Sequence, residues 1–518
     1  IPGTLKTVVS FSPGHGRPEH AGYVTVVDPS LGPDAQQSAV RISSDGPVYR
    51  DPYALSEEYF LVAREGEILV MQKDGYTACL YALGDGDAGR FCHEPRPLRV
   101  RKRERVIPPR VDMDKKTGRL FLADIYEGRS MEGVEQGEIK ELLVLEQLPK
   151  PVSFSGGMWP ISIGGTFTLA RILGTVPVEP DGSACFDVPA MRSVFFVALD
   201  KDGLAVKRMQ SFLSVMPGET SGCVGCHEGR LTSAPSDVAR LDAMRKLPNA
   251  ITPIDGIPDV MDYPRDVQPI LDKHCVGCHN PEKLAGGADL SGDHTPLFSQ
   301  SYWTMMERGL IADGRNEPYG NRPPRTIGSS ASRLMQKIDG SHHDVEVSAR
   351  EREVIRLWIE SSVHYAGTYA ALGSGMFPVE FPIEVMERRC GACHGSPPPE
   401  RNAIYKHQYF KFSKAEPAYP LVHTFMDLQQ IRARMGYYKY GKGRPPQSLC
   451  NISRPEMSLL LRAPLAKEAG GLQRCAEPVF TSPEDGDYRA ILAAIQAASA
   501  KKAADKRYDM PRFRPNDY

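Results

Sequence analysis

Three pentads of one pattern carry the chemistry of this sequence: Cys223-Val-Gly-Cys226-His227, Cys275-Val-Gly-Cys278-His279 and Cys390-Gly-Ala-Cys393-His394. The chain has 518 residues, 11 of them cysteine and 13 histidine. At that composition one such pentad arises by chance about 0.006 times, so three copies mark a repeated site. One helical turn brings the two thiols of a Cys-x-x-Cys pair to the same side of the backbone. Each thiol can then add to one haem vinyl group, and the adjoining histidine reaches the iron as proximal ligand. A zinc site also favours Cys-x-x-Cys pairs, but it needs four ligands from two knuckles and no histidine behind each pair. A thioredoxin-like dithiol needs a βαβ setting, which is missing around these pairs. The spacing predicts three covalently bound haem c groups on Cys223, Cys226, Cys275, Cys278, Cys390 and Cys393, with His227, His279 and His394 ligating iron.

Haem attachment of this kind takes place outside the cytoplasm. The expected location is therefore periplasmic or otherwise extracytoplasmic, reached through a signal peptide since removed, because the chain starts at Ile1. Such a compartment also permits disulfides. Cys79 with Cys92, and Cys450 with Cys475, are close enough in sequence to close small loops, and Cys185 reads as a buried thiol within a strand. A net charge of −1 with 25% charged residues gives no general attraction to nucleic acid or anionic lipid. The basic run Arg96 to Arg105 reads as a solvated connector. No apolar stretch reaches the about 18 residues a membrane span needs.

The elements that position the pentads form a multidomain β + α chain. Residues 1–150 show short strands separated by turns, among them 22–28, 59–63, 67–71, 79–82, 119–123 and 141–145, and predict a partial β-propeller-like domain. There is room for two or three blades, so another chain or an N-terminal portion must complete the ring. Residues 151–255 predict a β-sandwich middle domain that feeds the first pentad, with hairpin turns at Asp181-Gly182 and Asp202-Gly203. Residues 256–372 and 373–518 predict two helical cytochrome c domains around the second and third pentads. Their signals are a short helix over 266–274, a capping box at Ser348-Ala-Arg-Glu351 and an amphipathic helix at 488–495.

The runs Ala170-Arg-Ile-Leu-Gly-Thr-Val-Pro-Val-Glu-Pro-Asp-Gly182, Met216 through His227 and Arg265-Asp-Val-Gln-Pro-Ile-Leu271 resemble the hydrazine synthase alpha subunit and its multihaem relatives. The resemblance covers 150–370 well and the N-terminus loosely, and it implies a propeller, a one-haem middle domain and a C-terminal haem domain. The third module, 378–518, looks like an extension found in relatives. In that family a tyrosine four places after the first pentad's histidine ligates the active iron and frees the histidine for zinc. This sequence has Leu231 there. The resemblance thus implies an ordinary proximal role for His227 and counts against hydrazine synthesis. It also places His343 opposite His279 as a distal ligand, with His342 next in line.

The first haem has no distal ligand nearby in sequence; His15, His20 and His93 are the candidates, and if none binds, the iron is open to a small molecule. For the third, Met510 in Asp509-Met-Pro-Arg-Phe513 competes with His407, His423 and Met457. Glu228 beside the first pentad reads as a partner of Arg230. The expectation is a triheme c-type cytochrome transferring electrons to redox partner proteins, as a subunit of a larger redox complex. The alternative is a redox enzyme of hydrazine synthase-like type, acting on a small nitrogen or oxygen compound at a five-coordinate first haem.

Overall fold

The computed structural model of the protein describes every residue except 14–19, 33–34, 88, 101–102, 104, 150–160, 163–167, 228–236, 297, 314–319, 372–376, 378, 395–448 and 506–518. It divides into two compact units, with the boundary after Pro109.

The first unit, Ile1–Pro109, contains two antiparallel sheets. Strands β1 (Thr7–Phe11), β2 (Tyr23–Val27) and β3 (Ala39–Arg41) pair in sequence order. So do β4 (Arg50–Ala54), β5 (Tyr59–Arg64), β6 (Glu67–Gln72) and β7 (Thr77–Ala82). Asp74-Gly75 makes the β6–β7 turn. Gly75 has φ of +91°, and a side chain there would stand 2.4 Å from the Ile42 carbonyl oxygen, so only glycine fits. Val24, Tyr49, Phe60, Val62, Leu69 and Met71 form the core. Of the partial propeller-like domain expected over 1–150, the first unit holds these two sheets, and no closed ring occurs among the described residues.

The strands near 119 and 141, expected in that propeller, belong to the second unit. Here β8 (Thr117–Leu122), β9 (Glu141–Gln147), β10 (Ala170–Pro177), β11 (Ala184–Pro189), β12 (Ser193–Leu199), β13 (Ala205–Arg208) and β14 (Thr220–Cys223) form two sheets. Their orders are β10-β9-β12-β13 and β11-β8-β14. Period-two alternation explains the layering. Leu142 and Val144 of β9 pack with Leu120, Leu122, Phe186 and Val194 between the sheets. Leu143 and Leu145 face the other way, into a core shared with the helical segment. A strand covered on both faces reads as a continuous apolar run, which is why this stretch resembled a blade strand. The first compact unit ends at Pro109.

The helices of the second unit are α1 (Gln268–His274), α2 (Gln300–Glu307), α3 (Arg333–Lys337), α4 (Ala349–Glu360), α5 (Ile383–His394), α6 (Leu459–Arg462) and α7 (Gly486–Ala504). Helix α4 opens on the expected capping box, with Ser348 and Glu351 satisfying each other's backbone N–H groups. Tyr263, Tyr302, Trp358 and Tyr365 stack at the centre of its core. The Trp358 indole N–H donates to the His364 carbonyl at 3.0 Å, and the Tyr302 hydroxyl donates to that of Val363 at 2.6 Å. A third core joins Met386 of α5 to Tyr488, Ile491 and Ile495 of α7. The expected Cys79–Cys92 disulfide does not form: Cys79 is an exposed thiol and Cys92 is buried with its Sγ on the Gly66 carbonyl, while Cys450 is buried and Cys475 half-buried. Cys185 is buried as expected.

Trp358 is fully buried. Replacing it with alanine removes the centre of the aromatic cluster and is expected to cost about 3–5 kcal/mol. Thermal unfolding of Trp358→Ala followed by circular dichroism checks this; an unchanged transition contradicts the packing described.

Candidate haem sites

The first pentad sits where a strand leaves a sheet. Strand β14 runs parallel to β8, with Cys223 opposite Leu122. The pairing then continues past both strands. Ala123 N–H donates to the Cys223 carbonyl (2.9 Å), Asp124 N–H to Val224 (3.0 Å), and Cys226 N–H to the Glu127 carbonyl (2.7 Å). The expected helical turn is absent because these backbone groups are satisfied by the 123–129 segment instead. Gly225 permits the approach: a Cβ there would lie 2.1 Å from the Glu127 carbonyl oxygen. Cys223 and Cys226 both pack against the core between the sheets.

His227, at φ +61°, points to a cation. Arg129 N–H donates to the His227 carbonyl at 3.1 Å, and the Arg129 guanidinium lies 2.9 Å from His227 Nδ1. Arginine has only donors, so Nδ1 accepts.

The second pentad follows α1 and does make a helical turn. The N–H groups of Cys278 and His279 donate to the Cys275 carbonyl at 3.1 and 2.9 Å. Cys275 packs against the helical core, where burial pushes its thiol up to about 11, while Cys278 is exposed. His279 Nδ1 lies 2.9 Å from the Ala285 carbonyl oxygen. A carbonyl only accepts, so Nδ1 carries the proton and Nε2 is left with a bare lone pair, the arrangement of a metal-ligating histidine.

The ring facing His279 is that of His342, with centroids 6.0 Å apart and planes 18° from parallel. A centroid separation near this value is compatible with two imidazoles sharing one metal ion at about 2 Å each. His343, expected in that place, is exposed and meets the His342 ring edge-on, at 4.6 Å and 70°. The turn is tight, with His343 and Asp344 both left-handed at φ +51° and +54°, and it turns the two adjacent rings apart.

The third pentad closes α5. Arg388 pairs with Asp487 at 2.6 Å, and Arg389 pairs with Asp485, the N-cap of α7. These bonds fix α5 on α7, with Cys390 against their shared core. The side chains of Cys393 and His394 lie outside the described residues, as do His15, Glu228, Arg230, Leu231, His407, His423 and Met510. His20 is exposed; His93 is at the surface with Nδ1 3.4 Å from the Asp51 carboxylate. Met457 closes the short turn Pro455–Met457. It lines a cavity of about 10 Å³, room for one water, with Pro281, Leu284, Asp289, Gln300 and Asn451. Among the described residues no three histidine, cysteine or carboxylate side chains cluster as a metal site. No helix among them is long and apolar enough to cross a membrane.

Asp289 is 4% exposed, and burial pushes its carboxyl up to about 6. Between about pH 4 and 6 the folded chain thus holds a proton that the unfolded chain has released. The stability tied to that proton is full below pH 4 and lost as pH rises through 6. Asp289→Asn keeps an oxygen for the Ser291 N–H, 2.9 Å away. It is expected to stabilise the protein by about 2 kcal/mol above pH 6 and by nothing near pH 4. Urea unfolding at both pH values checks this, and an equal effect at both contradicts it.

Comparison with known proteins bears on this arrangement. Residues 137–228 match the family described as the hydrazine synthase alpha subunit middle domain, a match that ends just past the first pentad. The chain is 24% identical to hydrazine synthase subunit alpha of Kuenenia stuttgartiensis, over 51% of this chain and 45% of that protein. Its fold matches the solved Kuenenia stuttgartiensis hydrazine synthase with a TM-score of 0.53 at 18% identity, covering 70% of this chain and 60% of that one. The chain spans about half the length of the curated relative. These findings relate the chain to the hydrazine synthase alpha subunit, and the likeness runs through the middle-domain segment that carries Cys223, Cys226 and His227.

Proposed function

We propose that the chain is an extracytoplasmic triheme c-type cytochrome that transfers electrons as one subunit of a larger redox complex. Haem attached at the three pentads supplies a reversible one-electron change at iron. The observation that carries this reading is the second pentad. His279 has its Nδ1 proton fixed on the Ala285 carbonyl and its Nε2 bare, with the His342 ring 6.0 Å away. Two histidines so held suit a metal kept saturated, which exchanges electrons rather than substrates. Cys275, Cys278 and His279 would hold the second haem from one side and His342 from the other. Cys223, Cys226 and His227 would hold the first, and Cys390, Cys393 and His394 the third. Membership of a complex accords with the relative's printed name as a subunit. Redox proteins exchanging electrons with the haems are the partners in this reading.

The Arg129 contact favours a second reading. A donor-only guanidinium on His227 Nδ1 does not suit the protonated Nδ1 of an ordinary proximal ligand. A first iron weakly held from that side would be open to a small nitrogen or oxygen compound, as in a hydrazine synthase-like redox enzyme.

Electron paramagnetic resonance of the oxidised full chain decides between them. The electron-transfer reading expects low-spin signals alone, His342→Ala converting one haem to high spin, and His343→Ala leaving the spectrum unchanged. A high-spin haem in the unsubstituted protein that shifts on adding a small ligand contradicts that reading and supports the second.

A further inference from the structure

Lys207, on β13, is 5% exposed. Its ammonium donates to two backbone carbonyls, Ser130 at 2.9 Å and Arg322 at 2.6 Å. Burial pulls it below the ordinary lysine range, and the ionisable group acting on it is the Cys226 thiol. Among the described residues its hydrogen-bond partners are these two carbonyls, and an ammonium so held costs more to bury than an apolar side chain of the same length, so packing does not account for it.

The two carbonyls belong to segments that meet at the first pentad. Ser130 follows Arg129, whose main chain and guanidinium both bind His227. Arg322 follows Asn321, whose side-chain amide donates to the Arg129 carbonyl at 3.0 Å. Beyond it, Arg325 N–H donates to Val206 beside Lys207 at 2.9 Å, and its guanidinium pairs with Glu138. Asn321 and Arg325 are held left-handed, at φ +50° and +55°, an unfavoured backbone that the surrounding bonds enforce.

We infer that Lys207 is a positioning residue for the first haem site: it locks the 129–131 segment onto the 320–325 segment and so holds Arg129 against His227. The inference rests on the reading of the first pentad as a haem site. It adds a direction. A buried positive charge on the segment that binds His227 favours the less positive, reduced iron, so Lys207 raises the first haem's potential. At the second pentad a carbonyl, not a cation-bearing segment, meets His279 Nδ1.

The test uses the full chain matured with haem. Cys223→Ser with Cys226→Ser identifies the first haem by the signal it removes, and a chain that never carried that signal refutes the underlying haem assignment. Lys207→Met is expected to keep three haems, lower the first haem's midpoint potential, shift its resonance g-values and leave the second haem unchanged, while Lys207→Arg restores the original values. A first haem with unchanged potential and g-values in Lys207→Met overturns the inference. If Lys207→Met yields no folded protein, Asn321→Ala decides. It breaks the link to the Arg129 carbonyl and is expected to shift the first haem's g-values alone; unchanged values overturn the inference.

Discussion

The sheet β10-β9-β12-β13 must be covered on both faces, and that constraint organises the second unit. Leu142, Val144, Val194 and Ala198 face the sheet β11-β8-β14, which ends in the first pentad. Leu143, Leu145, Phe195 and Val197 face the helical segment around the second pentad. One sheet therefore fixes the distance between the two sites. At about 25 cal/mol per Å² of apolar area, two such covered faces are a stronger restraint than the few polar bonds that cross between the segments.

On that frame the two pentads are set differently by the group on each histidine's Nδ1. A carbonyl at His279 requires a proton on that nitrogen and leaves Nε2 free to ligate. A guanidinium at His227 makes that nitrogen the acceptor instead. Identical Cys-Val-Gly-Cys-His pentads thus gain different chemistry from one neighbour each. Local backbone follows the same division: a helical turn after α1 in one case, a continued strand pairing along β8 in the other.

The sequence made the pentads, the α4 capping box and the alternating strands legible because each is a local pattern. It hid what depends on contacts distant in the chain. Arg129 and His227 are 98 residues apart, and nothing marks that arginine among its neighbours. The layer to which β9 belongs was invisible because a strand buried on both faces loses its alternation. His342 and His343 are adjacent and chemically equal, so only the turn at φ +51° and +54° decides which one meets His279. Lys207 is a single lysine in a short strand, a residue that sequence alone assigns to the surface.

The central claim is covalent haem at all three pentads, and the intact mass of the chain, produced with haem-attachment machinery, tests it most directly. The account predicts the polypeptide mass plus three haems, falling by one haem for each pentad whose two cysteines become serine. A mass without haem, or one unchanged by those substitutions, contradicts it.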